Sequence, residues 1–187
     1  PNPADPYQDF GHSHWQNSLI WGENLQNISI LGPGRIWGKG LVRSGNQSRT
    51  KEQNDALEKL GPDPKAGPFG YPNARDAVEP GWGNKSIALK LCRNVIIRDI
   101  SILQGGHFGI LATGVDNLTI DNVKIDTNRD GINVDACKNV RISNATINSP
   151  FDDGICLKSS LGLGYPRVTE NVTITNCQLS GYDVGTL

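Results

Sequence analysis

The sequence predicts an all-β fold: a right-handed, single-stranded parallel β-helix of about 22–23 residues per coil, one domain over residues 1–187. Three observations carry this. A nine-residue pattern recurs as Asn94–Ile102, Asn117–Ile125, Asn139–Ile147 and Asn171–Leu179, with its leading asparagines 23, 22 and 32 residues apart. Each copy alternates apolar and polar residues, the period of a strand with one buried face. A second strand recurs upstream without gaps, Phe108–Ala112, Asp130–Val134 and Asp153–Leu157, at spacings of 22 and 23. Two strands per repeat with no helical period between them disfavour a leucine-rich repeat, which needs its own leucine framework. A propeller blade would need about 40 residues or more.

Taken in order, residues 1–26 are polar and aromatic, and Trp15, Trp21 and Trp37 suggest an end-cap or first coil. A partial copy of the repeat, Asn27–Leu31, follows. Residues 44–83 interrupt the coils as a loop insertion, with a short helix expected over Lys51–Leu60 and a Pro/Gly-rich stretch after it. From residue 84 the coils stack. Parallel strands lie about 4.8 Å apart, which puts Ile110, Ile132 and Ile155 in one inward column. The repeat asparagines fit tight turns in which the backbone visits the left-handed region and the amides stack. Asn27, Asn46, Asn84, Asn117, Asn144 and Asn171 also read as glycosylation sequons, and turn chemistry is the preferred reading.

Cys92 and Cys137 each stand two residues before a repeat asparagine, two coils apart, about 9 to 10 Å and beyond disulfide reach. Cys177 sits at an apolar repeat position, and Cys156 is expected to point outward between inward Ile155 and Leu157. The interval before Asn171 carries an insertion. The chain opens at Pro1 without methionine and stops at Leu187 soon after a strand. It is therefore expected to be a processed or excised piece, incomplete at its C-terminus.

Composition narrows the function. With 18 basic and 19 acidic residues, a formal charge of −1 leaves no cationic surplus to displace counterions from nucleic acid. Only 36% of residues are apolar, and no run approaches membrane-spanning length. No C-x-x-C or Cys/His metal spacing occurs, so neither a metal nor another cofactor is expected. His12 and His14 form an H-x-H pair whose bland reading, cap packing, is preferred to a metal site. Tyr71 and Trp82 in the insertion fit sugar stacking or loop packing.

Chemistry gathers at one end of the second strand. Asp130 and Asp153 occupy equivalent positions in adjacent coils, with Asp152 beside them. Carboxylates stacked this closely resist simultaneous ionisation, so at least one is expected to titrate high. A protonated carboxyl beside ionised ones is what glycoside hydrolysis uses: one protonates the leaving oxygen, another activates water. A solvated acidic turn and a calcium site are the alternatives.

Asn128-Arg-Asp-Gly-Ile-Asn-Val134 followed by Phe151-Asp-Asp-Gly-Ile-Cys-Leu-Lys-Ser-Ser160 resembles glycoside hydrolase family 28, the polygalacturonases and rhamnogalacturonases. The family's Asn-Thr-Asp matches Asn128-Arg129-Asp130, and its Asp-Asp pair matches Asp152-Asp153. The resemblance covers roughly residues 84–180. It implies that Asp152 is the general acid, and that Asp130 with Asp153 holds and deprotonates the attacking water, with inversion of configuration. Inverting enzymes separate their carboxyl groups by about 6.5–9.5 Å. Asn128 would orient the cluster or contact sugar, and Arg129 would bind an anionic sugar or shield the aspartates. His107 is placed on the coil above Arg129, where it would line the groove or serve as a turn histidine. Lys158 would pair with a uronate or with Asp135. The implied partner is pectic polysaccharide, and the implied location is secreted or periplasmic.

Three departures stand out. Arg129 replaces the motif's threonine, Asn133 stands where many members carry aspartate, and no Gly-His-Gly follows, the matching place reading Ser180–Thr186. Tyr182 or Asp183 would have to substitute. Two other functions stay open at this level: a calcium-dependent pectate-lyase-like β-helix and a non-catalytic carbohydrate-binding β-helix.

Overall fold

The computed structural model describes residues 15–16, 18–38, 85–127, 129–150 and 152–181. The insertion at 44–83, the helix expected at 51–60, the H-x-H pair, Tyr71, Trp82, Asn128, Tyr182 and Asp183 lie outside these residues. Thirteen strands appear among them, and every strand pairing is parallel. The first sheet stacks β1 (Ser18–Glu23), β3 (Lys85–Lys90), β5 (Phe108–Thr113), β8 (Ile132–Asp135) and β11 (Ile155–Lys158), in that order.

The second sheet begins with β2 (Gln26–Trp37) on β4 (Arg93–Leu103). In later coils the corresponding strand is divided. β6 (Asp116–Asp121), β9 (Lys138–Ser143) and β12 (Glu170–Thr175) stack on one side of a corner. β7 (Lys124–Asp126), β10 (Thr146–Ser149) and β13 (Gln178–Gly181) stack on the other. So a coil holds three strand runs where the sequence suggested two. The cause is local: Asn122, Asn144 and Asn176 all have φ near +50° and turn the chain inside each repeat copy. Within the 1–26 segment, Ser18–Glu23 belong to a first coil, since β1 pairs with β3 along its length.

Stacking explains the repeat. Ile87, Ile110, Ile132 and Ile155 are in register and fully buried, forming the expected column. Burying such a side chain contributes about 1.5–3 kcal/mol, and Val95, Leu118, Val140, Ile97, Ile120 and Ile142 line the facing wall of the same core. The leading asparagines form an amide ladder at the opposite corner. Asn94 donates to Asn27 (3.0 Å), Asn117 to Asn94 (2.9 Å), Asn139 to Asn117 (3.2 Å) and Asn171 to Asn139 (3.1 Å). All five have φ between 54° and 58°. In the sequons at Asn117, Asn144 and Asn171 the amide nitrogen that a glycan would occupy is already a donor within the ladder.

The four cysteines are free thiols. Cys92 and Cys137 lie inside the core, and burial pushes the Cys137 thiol up to about 12. Leu157 shares the register of buried Val134 but is 44% exposed, because β11 is the last described strand of its sheet.

One column of glycines sets the spacing at the site. Gly109, Gly131 and Gly154 stack at the entry to the first sheet. A Cβ on Gly131 would meet Ile147 Cγ2 at 2.3 Å and the Gly154 carbonyl oxygen at 2.5 Å, while one on Gly109 would meet the Gly131 oxygen at 2.6 Å. Backbone on one side and core on the other leave a methyl no room. Gly131→Ala is therefore expected to cost about 3 kcal/mol, the upper end of overpacking penalties. Urea unfolding measures this directly, and a midpoint shift equivalent to less than about 0.5 kcal/mol would contradict the close approach.

Candidate functional site

The coil corner just ahead of that glycine column carries the polar cluster. Strand register places Lys85, Phe108, Asp130 and Asp153 in one column, and His107, Arg129 and Asp152 in the column beside it. Two backbone bonds hold successive rungs together: Gly109 N–H donates to the Asp130 carbonyl and Gly131 N–H to the Asp153 carbonyl, each at 3.0 Å. The Ser149 hydroxyl lies within hydrogen-bonding reach of the Arg129, Asp152 and Asp153 carbonyls and so ties two rungs together from within the turn.

Arg129 is the hub of its column. Its Nε donates to Asp152 Oδ2 at 2.7 Å, and its Nη2 donates to the same oxygen. Nη1 lies 3.2 Å from His107 Nε2. A guanidinium only donates, so Nε2 is the atom placed to accept in that contact. His107 is buried and meets the Phe108 ring edge-on, centroids 4.5 Å apart. Asp152 Oδ1 accepts the Asp153 N–H at 3.1 Å. Both oxygens of Asp152 are thus engaged by donors.

Asp130 is in a different environment. It is only 2% exposed, accepts from the Asn133 side-chain amide, and lies 3.9 Å from Lys158 Nζ. Burial pushes its carboxyl up to about 6, the neighbouring Asp152 adds to the rise, and Lys158, Asn133 and Arg129 oppose it. Asp130 titrates high, as the stacked charges suggested for at least one carboxyl, but the leading cause is removal from water rather than like-charge repulsion. Among the described residues no three His, Cys, Asp or Glu side chains are grouped so as to hold a metal ion.

Lys158 and Asp135 are register partners on neighbouring coils, as the sequence suggested. Asp135 is fully buried and accepts from the Ser160 backbone N–H (2.8 Å) and hydroxyl. It anchors the loop that fills the 32-residue interval. Further along, Arg167 fastens the same loop to earlier coils through Asp116 (2.6 Å) and the Gly114 carbonyl (3.0 Å). Lys158 reaches Asp130.

Several site residues were not assigned roles from sequence. Asn133 is fully buried on the outward row, in register with Leu111 and Cys156, and its Oδ1 has no hydrogen-bond partner among the described residues. Its outward placement was legible from alternation with Ile132 and Val134; its burial was not. Cys156 occupies the outward row as expected but is only 8% exposed, and burial beside Asp130 and Asp153 pushes its thiol up to about 12. Lys85, fully buried, lies with Nζ 6.0 Å from the Phe108 ring centre.

Parallel strands wound into coils, with a polar cluster assembled from successive turns, define a right-handed β-helix protein. The sequence model of the right-handed β-helix region family matches residues 78–186, and the chain belongs to that family. Its fold is also similar to the crystal structure of a candidate glycosyl hydrolase from Parabacteroides merdae, at 16% identity and a TM-score of 0.56. That similarity covers 86% of this chain and 60% of the other, so the chain spans less than two thirds of that structure. Among curated proteins none matches this sequence.

Proposed function

We propose that this chain is a glycoside hydrolase of polygalacturonase type, cleaving galacturonic-acid-containing pectic polysaccharide with inversion. The observation that carries the reading is the corner where Asp130 and the Asp152–Asp153 pair stand on adjacent rungs, with Arg129 on Asp152 and Lys158 3.9 Å from Asp130. Asp130 titrates near 6, within reach of the pH range in which an acid and a base must coexist. Arg129 and Lys158 supply the positive charge that a polyanionic chain needs locally, although the protein as a whole is nearly neutral.

The likeness to the Parabacteroides merdae protein supports a β-helix of this kind, and the resemblance of the Asn128–Asp130 and Asp152–Asp153 motifs to family 28 supplies the substrate class. By that resemblance Asp152 delivers the proton to the leaving oxygen, and Asp130 with Asp153 activates water. The same resemblance carries the proposal that the protein acts outside the cytoplasm.

The test is an assay on polygalacturonate and rhamnogalacturonan that follows reducing ends and the ultraviolet absorbance of unsaturated uronates together, with and without chelator. New reducing ends without absorbance, insensitive to chelator, are expected. Chelator-sensitive absorbance would replace the hydrolase with a calcium-dependent lyase. Binding without either signal would leave a carbohydrate-binding β-helix.

A further inference from the structure

We propose that Arg129 is a specificity residue that exchanges Asp152 for the carboxylate of an incoming sugar, so that Asp152 becomes able to carry a proton only when an acidic sugar is bound. This rests on the hydrolase reading and names what that site discriminates.

Two guanidinium donors converge on Asp152 Oδ2, and the Asp153 N–H occupies its Oδ1. A carboxyl that donates a proton needs one oxygen released from donors, because the O–H must point at an acceptor. In the arrangement described, Asp152 is an acceptor on both sides. It is fitted to hold Arg129, not to protonate a leaving group.

The partner that must let go is placed to do so. Arg129 and Asp152 are 27% and 25% exposed, so the pair is neither sealed from solvent nor fixed by burial. Pairs of this kind are worth little in water and exchange readily. Nη1 meanwhile contacts buried His107, which would keep the guanidinium at its post when the Nε/Nη2 edge is vacated. That vacated edge is a planar fork of two N–H donors, the complement of a second carboxylate.

A sugar hydroxyl cannot compete with Asp152 for that fork, since it carries no charge. A uronate carboxylate can. The cation that would hold the sugar is the one that holds Asp152, so acid recognition and release of the acid catalyst are one event.

Competition makes an unusual prediction: deleting Asp152 should improve binding. Calorimetric titration of the full chain with a galacturonic acid trimer and with its methyl ester separates the terms. Asp152→Asn is expected to tighten the acidic trimer by about fivefold, the worth of a partly exposed ion pair, and to leave the ester unchanged. Arg129→Gln is expected to weaken the acidic trimer to the level of the ester, and Arg129→Lys to recover part of the loss. Matching melting curves establish that the variants are folded. An Asp152→Asn affinity equal to or weaker than wild type would overturn the exchange while leaving the hydrolase reading intact. Failure of wild type and Asp152→Asn alike to bind the acidic trimer would overturn both.

Discussion

Asp152→Asn is expected to lower turnover on polygalacturonate by about 10²–10⁴-fold, the usual worth of a positioned general acid. The amide cannot deliver a proton to the leaving oxygen, but its oxygen can still accept the Asp153 N–H that fixes the turn. Folding should therefore survive, and the loss should fall on kcat. If Arg129 is released as argued above, KM should fall at the same time. A kcat within threefold of wild type would remove Asp152 from the proton path. The proton would then have to come from Asp130, whose titration burial drives upward.

Asp130→Asn is expected to make the protein more stable at neutral pH. In the folded state burial holds the Asp130 carboxyl near 6, against 3.8 ordinarily. The folded protein therefore binds this proton more tightly than the unfolded chain. The stability contributed by Asp130 is fully present below about pH 4 and is lost as pH rises through 6. At pH 7.5 the ionised, buried carboxylate costs on the order of 3 kcal/mol. Asparagine has the same shape, keeps an acceptor for Asn133 and carries no charge to desolvate. Its melting temperature should exceed wild type by roughly 5–10 °C at pH 7.5 and match it near pH 3.5. An equal gain at both pH values, or none, would show that burial of the charge is not what Asp130 costs. A stabilising substitution that also abolishes turnover is the pattern expected where a group is kept for chemistry rather than for the fold.

The β-helix was legible because stacking writes its period into the sequence. Asn94, Asn117, Asn139 and Asn171 recur because each must adopt a positive φ and pass an amide bond to the next coil. Ile110, Ile132 and Ile155 recur because each roofs the one below. The third strand run was missed although its signal is present: the sixth residue of each repeat copy, Asp99, Asn122, Asn144 or Asn176, also has positive φ.

The adjacency of His107, Arg129 and Asp152 followed from the same column arithmetic. What did not follow was which partners the side chains choose. Arg129 turns to Asp152 and His107 through rotamer choices that periodicity does not encode. Lys158 lies 3.9 Å from Asp130, and Asp135 accepts from Ser160, in a loop whose path back over earlier coils leaves no periodic trace. The burial that raises Asp130 is likewise a property of the assembled surface, invisible in the spacing of charges.

The glycine column and the rungs around it have a consequence for how such a protein can change. The cluster is written across coils, one letter per turn, rather than along the chain. A single residue inserted into a strand between Gly131 and Asp152 would invert every side chain between it and the next turn, sending core residues out and polar ones in. A whole turn of 22 or 23 residues inserted ahead of β5 would preserve the phase, keep the aspartates on adjacent rungs and lengthen the groove by one rung. Variation in this protein is thus tolerated in quanta of a turn, and the substrate length it can span should grow in those same steps.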